Sequence, residues 1–493
     1  MQPNLLIFMT DQQRGDVVAP DHPCITPNAA RLAAEGIRFT HAYCPSPHCC
    51  PSRATFMTGL YPSRHGVYNN VSNPTAIHRT IYDNVTLFSE HLRAAGYTLA
   101  YAGKWHVSDT ENPADRGWDE LEVRARAGSY MHRGIDQWRN QPAHAPDRRH
   151  GQIVRPGWGT VQFFGAYSTT TDHAYESHDD YTVVKSALDA LPDLAAQAAP
   201  WCLYVGTFGP HDDFIVPQQY VDRYDLADIP LPANYADTLC DKPAVYRRMR
   251  EQYWSQFTEQ EVRDCLRHYW AFCTMEDELF GLLLDKLDEL GQRDNTLVLF
   301  VSDHGEYCGS HGLYCKGVPA FREAYHVPAI VRFPQGIADP GRTEDALISL
   351  ADFAPTFLEL AGVPHPDDLT GKSLVPFLHG EAPDGWRDTI FAQCNGVELY
   401  YTQRIAMTRD YKYVYNGFDN DELYDLRLDP LEMVNRSDDP AYAAIKHELV
   451  RRMWRFAAEQ GDELIMNPYY TVALAPWGPA DALGRADSPL PLP

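Results

Sequence analysis

The segment Asn4–Gln12 (NLLIFMTDQ) decides the fold, because it joins a nearly unbroken apolar run to an acidic residue. A run such as Asn4–Met9, apolar on both faces, is typical of a strand that helices cover on both sides of a parallel sheet. Thr10, Asp11 and Gln12 follow at its C-terminal end. Sites in α/β folds gather where buried strands end. The segment therefore predicts a central strand and a functional edge of the sheet.

The same pattern recurs along the chain. Apolar strands are predicted at Tyr97–Ala102, Trp201–Thr207, Thr296–Val301 and Val327–Phe333. Helical patterns begin at Thr26, a predicted N-cap followed by Pro27, at Thr86, and at Thr258, which with Glu261 predicts a capping box. Such alternation predicts an α/β fold. We expect a large mixed, mostly parallel sheet covered by helices on both faces. Asp11, Lys104, His211 and Asp303 each follow a predicted strand, so they should converge.

From about Arg387 the pattern changes to short segments separated by turns, followed by a helix around Tyr442–Gln460. The predicted organisation is a catalytic domain over 1–385 and a smaller C-terminal α+β subdomain over 386–466, with a small antiparallel sheet and a helix. The last residues, 467–493, are rich in proline, alanine and glycine. They predict an extended arm, disordered or laid across a neighbouring subunit, and hence a homo-oligomer.

Composition excludes several classes of protein. The net charge of −25 argues against nucleic acid or an anionic membrane as the main partner. No stretch approaches the roughly 18 apolar residues of a membrane helix. The N-terminus shows no basic n-region or cleavage site, and the eleven cysteines are an odd number, scattered along the chain. We therefore expect reduced thiols and a cytoplasmic protein.

Cys49–Arg53 (CCPSR) form a C-x-P-S-R pentad ahead of a stretch that could open a helix. A helix N-terminus stabilises anions, and an arginine one turn away can hold a charge at Cys49 or a bound oxyanion. The alternative is that Cys49 is a small buried hydrophobe, as most free cysteines are. The pentad alone does not decide between these interpretations.

Two carboxylates at strand ends indicate a metal site. Asp11 and Asp303, with the amide of Gln12 and the imidazole of His304, would give four ligands for a hard cation. The alternative is that both aspartates cap turns or helices. A zinc knot is a rival pattern, with ligands His304, Cys308, His311 and Cys315. It would leave both aspartates unexplained.

With these motifs in this order, the chain resembles the sulfatase family of the alkaline-phosphatase-like superfamily. The resemblance spans most of the chain and rests on NLLIFMTDQQ, CCPSRATFMTGLYPSRHG, AGKWH, GPHDDF, SDHGEYCGSHGLYCKG and DYKYVYNGFDNDELYDLRLDPLEMVN. It implies that a formylglycine-generating enzyme reads the C-x-P-S-R motif and oxidises Cys49 to Cα-formylglycine. It also implies hydrolysis of a small-molecule sulfate ester to inorganic sulfate and an alcohol or phenol, with the aldehyde hydrate as nucleophile.

The resemblance assigns roles to the other residues. The implied metal ligands are Asp11, Gln12, Asp303 and His304, with Asp303 also a candidate base. The implied oxyanion-binding and proton-transfer residues are Arg53, Lys104, His106, His211 and Lys316. Of these, His211 with Lys316 would protonate the leaving oxygen and His106 would act as the base that releases sulfate. Asn70 is a further candidate contact for a substrate oxygen.

Two departures from the family pattern concern the ion and the substrate. Many sulfatases have aspartate in place of Gln12 and asparagine in place of His304. The set found here resembles the branch that includes choline sulfatases and phosphonate monoester hydrolases. Ca²⁺ is the expected ion, with Mn²⁺ or Mg²⁺ as alternatives. Hydrolysis of phosphonate monoesters or phosphodiesters is the alternative activity, although the pair Lys104 and His106 favours sulfate.

The natural substrate stays open. The pocket walls are predicted to come from the irregular segments 111–182 and 212–253. Their aromatic and histidine side chains could hold a sugar, an aryl group or a quaternary amine, or could pack subunits together. The candidates are Trp138, Trp158, Tyr167, His173 and His178.

Overall fold

The structure is a computed structural model that describes residues 2–73, 76–128, 148–155, 159–364, 366–397, 399–466, 472, 475 and 477–483. The strands are β1 Asn4–Thr10, β2 Ile37–Tyr43, β3 Thr98–Lys104, β4 Asp119–Arg124, β5 Gln152–Arg155, β6 Gly159–Gln162, β7 Phe164–Tyr167, β8 Trp201–Gly206, β9 Phe214–Pro217, β10 Thr296–Ser302, β11 Ala329–Arg332, β12 Arg342–Ser349, β13 Ile390–Cys394, β14 Gln403–Met407, β15 Tyr411–Asn416 and β16 Glu422–Asp425.

The α-helices of the same residues are α1 Pro27–Ala34, α2 Cys49–Thr58, α3 Pro62–His65, α4 Phe88–Ala94, α5 Asp179–Ala196, α6 Gln218–Val221, α7 Ala244–Gln252, α8 Glu259–Glu289, α9 Arg322–Tyr325, α10 Phe353–Leu360, α11 Val375–Leu378, α12 Ala443–Glu459 and α13 Pro479–Leu483. No helix of the described chain is both long enough and apolar enough to cross a bilayer.

Within these residues, the central sheet has eight strands in the order β12-β2-β11-β10-β1-β8-β3-β4. β1 pairs in parallel with β10 and β8, and β3 pairs in parallel with β8. Only the pairs that β11 makes with β10 and β2 are antiparallel. The predicted mixed, mostly parallel sheet is confirmed. The centre is wholly buried along β1, β8 and β10, as continuous apolar strands require.

The N-terminus of α8 is capped as predicted, whereas that of α1 is capped by a different residue. α8 has the predicted capping box, in which Glu261 N–H donates to Thr258 Oγ1 (3.3 Å) and Thr258 N–H donates to Glu261 Oε2 (3.0 Å). The predicted cap of α1 is wrong, since the Thr26 side chain makes no cap bond. The carboxylate of Asp277, on α8, instead accepts from Asn28 N–H (2.8 Å) and Ala29 N–H (2.7 Å). A charged acceptor suits the unpaired donors of a helix start better than a hydroxyl.

The C-terminal region forms a second sheet of four antiparallel strands, β13-β14-β15-β16, and α12 packs against it. Gln393 Nε2 donates to Ser63 Oγ and Asp462 Oδ2 (3.0 Å each), which ties this sheet to the start of α3. Within 467–493 the structure describes only 472, 475 and 477–483. There α13 packs on α12, and Trp454 Nε1 donates to the carbonyl of Trp477 (2.8 Å). These described residues pack on α12 of their own chain. The extended arm over 467–493 stays a prediction. The domain boundaries stay a prediction.

Candidate active site

The site lies where the parallel strands β10, β1, β8 and β3 end side by side. Asp11 follows β1, Asp303 follows β10, and Lys104 is the last residue of β3. Helix α2 begins at this edge with Cys49. Parallel neighbours present their carboxyl ends at one edge, so residues nearly 300 positions apart meet there. The predicted convergence is present.

Cys49 is surrounded by charged and polar groups. Its Sγ lies 3.1 Å from His304 Nε2, 3.6 Å from Lys104 Nζ and 3.7 Å from Asp11 Oδ1. The side chain is buried at the N-terminus of α2, where unpaired backbone N–H groups and the helix dipole favour negative charge. A packing cysteine has apolar neighbours. These surroundings favour a functional Cys49.

Arg53, one turn along α2, bridges the two carboxylates. Its Nε donates to Asp303 Oδ2 (2.7 Å) and its Nη2 donates to Asp11 Oδ2 (3.0 Å), and all three side chains are fully buried. Nη1 donates to the Lys104 carbonyl (3.0 Å) and to Tyr204 Oη (3.2 Å). The fork of five donors is thus held in one orientation.

Asp11, Asp303 and His304 could hold a metal ion. One ligand atom from each of these residues and from Cys49 lies within 4.8 Å of the others, and all four side chains are buried. Arg53 and Lys104 occupy Oδ2 of Asp11, while Oδ1 lies 3.6 Å from His304 Nε2. His304 Nδ1 bonds to the Gly305 carbonyl (3.0 Å), so Nε2 is the nitrogen left to act as a ligand.

Neighbouring charges and burial set the protonation states of Asp11, Lys104 and His304. Burial opposes ionisation of Asp11, but Lys104, His211 and Arg53 outweigh it and hold the pKa of Asp11 well below its usual range. Burial also works against a charged Lys104, yet Asp11 and Cys49 raise the pKa of Lys104 above its ordinary value. Burial lowers the pKa of His304, so its imidazole is neutral at neutral pH, as a metal ligand must be.

Gln12 points to the other side of the site. Its Nε2 donates to Asp212 Oδ1 (3.1 Å) and to Glu306 Oε2, and its Oε1 accepts from Lys316 Nζ. Its backbone lies in the left-handed region, at φ 66°. The amide oxygen therefore faces Lys316 here, and a ligand role for Gln12 stays a prediction.

His211 and Lys316 form a pair next to Gln12. Lys316 Nζ lies 2.6 Å from His211 Nε2, and His211 Nδ1 donates to the Asp212 carbonyl (2.6 Å). Burial disfavours charge on Lys316, but Cys49 and Asp212 raise its pKa overall. The His211 side chain is 28% exposed, whereas those of Asp11, Asp303 and His304 are fully buried, so His211 marks the side open to a substrate.

His106, which follows β3, and Asn70, which follows α3, approach from two further loops. Burial first, and then Lys104, lowers the pKa of His106 well below its usual value. Its Nε2 lies 3.3 Å from Ser72 Oγ. Asn70 Oδ1 accepts from the Cys50 N–H (3.2 Å), so Asn70 also satisfies a donor at the start of α2. Its contact with a substrate stays a prediction.

The zinc alternative is not supported. His304 groups with Asp11, Cys49 and Asp303, whereas Cys315 groups with Asp212 and Glu306. His311 Nδ1 bonds instead to Asp237 Oδ2 (2.7 Å). The four residues have the spacing of a zinc knot along the chain but do not meet.

The sequence reasoning missed Glu306, Asp212 and Tyr204. Glu306 Oε1 accepts from Cys308 N–H (2.9 Å) and Cys315 N–H (2.5 Å), which closes the loop that carries Lys316. Burial, and then Asp212, raises the pKa of Glu306 to about 8. Asp212 follows His211 in GPHDDF, and Glu306 lies two residues after His304 in SDHGEYCGSHG. Their closeness to predicted site residues is the sequence feature that could have identified them. Tyr204 lies inside a buried strand and shows no such feature.

The proposed pocket walls are only partly described. Trp138 and Trp158 lie outside the described residues. Tyr167 contacts Ser177, His173 stacks on Tyr175, and His178 caps α5 by accepting from the Asp180 N–H (3.2 Å). These contacts are local to the segment, and a role for these residues in binding substrate stays a prediction.

Comparison with known proteins identifies the family. The family model for sulfatases matches residues 3–363, and the model for the C-terminal part of N-sulphoglucosamine sulphohydrolase matches residues 309–459. A choline-sulfatase of Rhizobium meliloti (strain 1021) is 31% identical, over 89% of this chain and 83% of its own. The uncharacterized sulfatase YidJ of Escherichia coli (strain K12) is 29% identical, over 97% of this chain and 90% of its own.

The fold is shared with solved structures. The phosphonate monoester hydrolase SpPMH from Silicibacter pomeroyi superposes with a TM-score of 0.76 at 25% identity, covering 93% of this chain and 96% of that one. Likeness over nearly the whole of both chains supports the same α/β architecture. Together with the family match over most of the chain, it leads to one conclusion: this chain belongs to the sulfatase family and is a sulfuric ester hydrolase.

Proposed function

We propose that the protein hydrolyses sulfate monoesters with a formylglycine made from Cys49 and one divalent metal ion, releasing inorganic sulfate and an alcohol or phenol. One observation carries the proposal. The side chain at position 49 lies within 3.7 Å of a carboxylate oxygen, an imidazole nitrogen and an ammonium group, all buried. A nucleophile there would stand among metal ligands and cations, as attack on an anionic ester requires.

The described residues fit both implied groups. Asp11, Asp303 and His304 would hold the ion, with Ca²⁺ expected and Mn²⁺ or Mg²⁺ as alternatives. A bound divalent ion supplies Lewis acidity toward the ester oxygens and lowers the pKa of a hydroxyl beside it. An aldehyde hydrate at position 49 supplies one hydroxyl as nucleophile and a second from which the product can be released.

Arg53 and Lys104 provide fixed positive charge for the ester. Their donors are already oriented by Asp11, Asp303 and the backbone, so little reorganisation is needed when negative charge moves onto the bridging oxygen. Both lie too deep for water to screen them. Their role is to bind the sulfuryl oxygens and to keep the nucleophile close.

Proton transfer falls to residues on opposite sides of position 49. His211 Nε2 lies 2.6 Å from Lys316 Nζ, and this pair would donate a proton to the leaving oxygen. His106 has a lowered pKa, is neutral at neutral pH and can accept a proton in the release step. Asp303 is a further candidate base near the nucleophile.

His211→Ala should make turnover depend strongly on the leaving group. An alkoxide needs a proton and a nitrophenoxide does not, so kcat/KM for an alkyl sulfate should fall about 10² to 10⁴-fold, and much less for a nitrophenyl sulfate. The measurement is the slope of log kcat/KM against leaving-group pKa. The exposed His379 provides the matched control, His379→Ala, which should keep the wild-type slope. An unchanged slope in His211→Ala would remove His211 as the acid.

Hydrolysis of phosphonate monoesters or phosphodiesters is the second candidate. It is favoured by His304 and Gln12 and by the fold shared with a phosphonate monoester hydrolase. Side-by-side kcat/KM values for 4-nitrophenyl sulfate and 4-nitrophenyl phenylphosphonate test it. We expect sulfate to be preferred by about tenfold or more. A reversed preference would make the phosphonate activity the primary one.

The charge of −25 should slow the capture of an anionic ester. Added salt screens this repulsion beyond about 10 Å at 0.1 M ionic strength, so raising salt should raise kcat/KM modestly and leave kcat nearly unchanged. The measurement is kcat/KM over a series of NaCl concentrations. A steep fall with salt would instead indicate a locally basic entrance.

A further inference from the structure

A buried carboxylate holds the turn that carries His211. Asp180, in the first turn of α5, accepts from Phe208 N–H at Oδ1 (2.7 Å) and from Gly209 N–H at Oδ2 (2.8 Å). The same turn continues to the site, because His211 N–H donates to the Phe208 carbonyl (2.9 Å). Asp11 N–H also donates to the Gly209 carbonyl (3.0 Å). Asp180 thus holds the backbone of Phe208 and Gly209, which bonds to Asp11 on one side and to His211 on the other.

A second carboxyl group, that of Glu276, packs beneath this turn. Glu276 lies on α8, is fully buried, and faces the carboxyl of Asp180 and the hydroxyl of Thr207. A Cβ at Gly209 would stand only 2.2 Å from Glu276 Oε1 and 2.3 Å from the ring of Phe272. Glycine at this position is what allows Glu276 and the turn to touch.

The two carboxyl groups differ in their partners. Asp180 has two backbone donors, whereas among the described residues only the hydroxyl of Thr207 faces Glu276 as a donor, and no backbone N–H bonds to either oxygen of Glu276. Two adjacent buried carboxylates cannot both stay ionised, so one proton must be shared. The donors assign the charge to Asp180 and the proton to Glu276.

We propose that Glu276 is a neutral carboxylic acid that donates to the Asp180 carboxylate, and that the two are positioning residues which aim His211 at the leaving oxygen. The role of His211 rests on the proposed function, whereas the protonation of Glu276 does not. Neither residue touches the substrate. They act through the backbone of the turn.

The surroundings of Glu276 favour the neutral form. Burial is the largest effect and the charge of Asp180 the next, and both raise the pKa of Glu276 well above its usual value. The other groups that face the pair are His178, whose Nδ1 lies 3.6 Å from Asp180 Oδ2 and accepts the Asp180 N–H, and the hydroxyl of Thr207. Asp277, the next residue on α8, points instead to the start of α1.

Unfolding as a function of pH tests the protonation without any substrate. A carboxyl whose pKa is raised by folding stabilises the protein fully below its unfolded pKa, and this stabilisation is lost as pH rises toward the folded pKa. The amide of Glu276→Gln never ionises. The unfolding constant of the wild type relative to Glu276→Gln should therefore increase by up to about tenfold per pH unit above pH 5.

The matched control for this experiment is Glu289→Gln, on the exposed face of the same helix. It removes one negative charge without touching the turn, so its unfolding constant relative to wild type should stay constant with pH. If the ratio of the unfolding constants of the wild type and Glu276→Gln also stays constant with pH, the proposal that Glu276 is a neutral carboxylic acid is overturned.

Kinetics and hydrogen exchange test the positioning role. Asp180→Asn and Glu276→Ala should speed amide exchange at 208 and 209 and steepen the leaving-group slope as His211→Ala does. We expect about a 10²-fold loss of kcat for an alkyl sulfate, since a displacement of 1 Å can cost that much. Glu276→Gln should rescue both, and Asp180→Asn in a His211→Ala background should add no further steepening.

The outcomes separate the two proposals. An equal loss for all leaving groups, or exchange at 208 and 209 that does not change, would overturn the positioning role. If His211→Ala itself leaves the slope unchanged, the acid assigned in the proposed function fails, together with the aim of the turn at the leaving oxygen. The pH dependence of unfolding would still decide the protonation of Glu276.

Discussion

Cys49→Ala is expected to abolish turnover while leaving the fold intact. The substitution removes the Cys49 thiol, whose oxidative loss would leave an aldehyde at Cβ, so kcat should fall by about 10⁴-fold or more. The fold should persist because Arg53 still bridges Asp11 and Asp303 and because a small side chain remains at the buried position. The measurements are kcat on an aryl sulfate and Tm for both proteins.

The control is the neighbouring thiol. Cys50 is also buried, and its Sγ accepts from the Val71 N–H (3.4 Å), away from the carboxylates. Cys50→Ala should keep most of the activity, since any cost there is one of packing. Intact mass of the peptide that contains Cys49 should show the aldehyde in active wild-type protein. Near-normal turnover by Cys49→Ala, or full activity with an unmodified thiol, would rule the nucleophile out.

Removing the metal ion is expected to have the second-largest effect. Asp11 and Asp303 are buried, and Arg53 and Lys104 already offset their two charges. Without a divalent ion the site lacks the Lewis acid that activates the nucleophile, so chelation should remove activity by about 10³-fold. Adding back Ca²⁺, Mn²⁺ or Mg²⁺ should restore it, and the ion that restores most at the lowest concentration is the one the site prefers.

Asp11→Asn should lower turnover as chelation does, and it should also reduce the increase in Tm that added ion causes. For the wild type, an ion at 100 times its Kd should stabilise the protein by about 2.7 kcal/mol. The matched control, Asp285→Asn, removes an exposed carboxylate of α8 and should behave as wild type. Turnover that survives complete chelation would contradict a metal-dependent reaction.

The central sheet and the converging site residues could be predicted because each is encoded locally. A buried parallel strand is a continuous apolar run, and the polar residues that follow it lie at a known edge. Asp11 and Asp303 are of this kind. The antiparallel direction of β11 was not available, because direction depends on how the chain crosses the sheet and not on the residues of the strand.

Other features depend on contacts between remote elements. Nothing near Thr26 shows that Asp277, which lies 251 positions later, would cap α1 in its place. The backbone of Gln12 is left-handed and its side chain contacts Lys316 and Glu306, and the strand pattern predicts neither. In the sequence, Glu276 is one of many polar residues in a long helix. Its contact with the turn at Gly209 becomes visible only when α8 is packed against that turn.

The burial of α2 bears on when Cys49 could be modified relative to folding. Every residue of the helix is enclosed, including the whole recognition pentad. If Cys49 becomes formylglycine as proposed, the oxidising enzyme would have to meet the chain before α2 is buried. Under that proposal, a molecule that folds first would keep its thiol and stay inactive. The specific activity of a preparation would then reflect how many chains were modified before folding, and a host that lacks the enzyme should yield well-folded protein with little turnover.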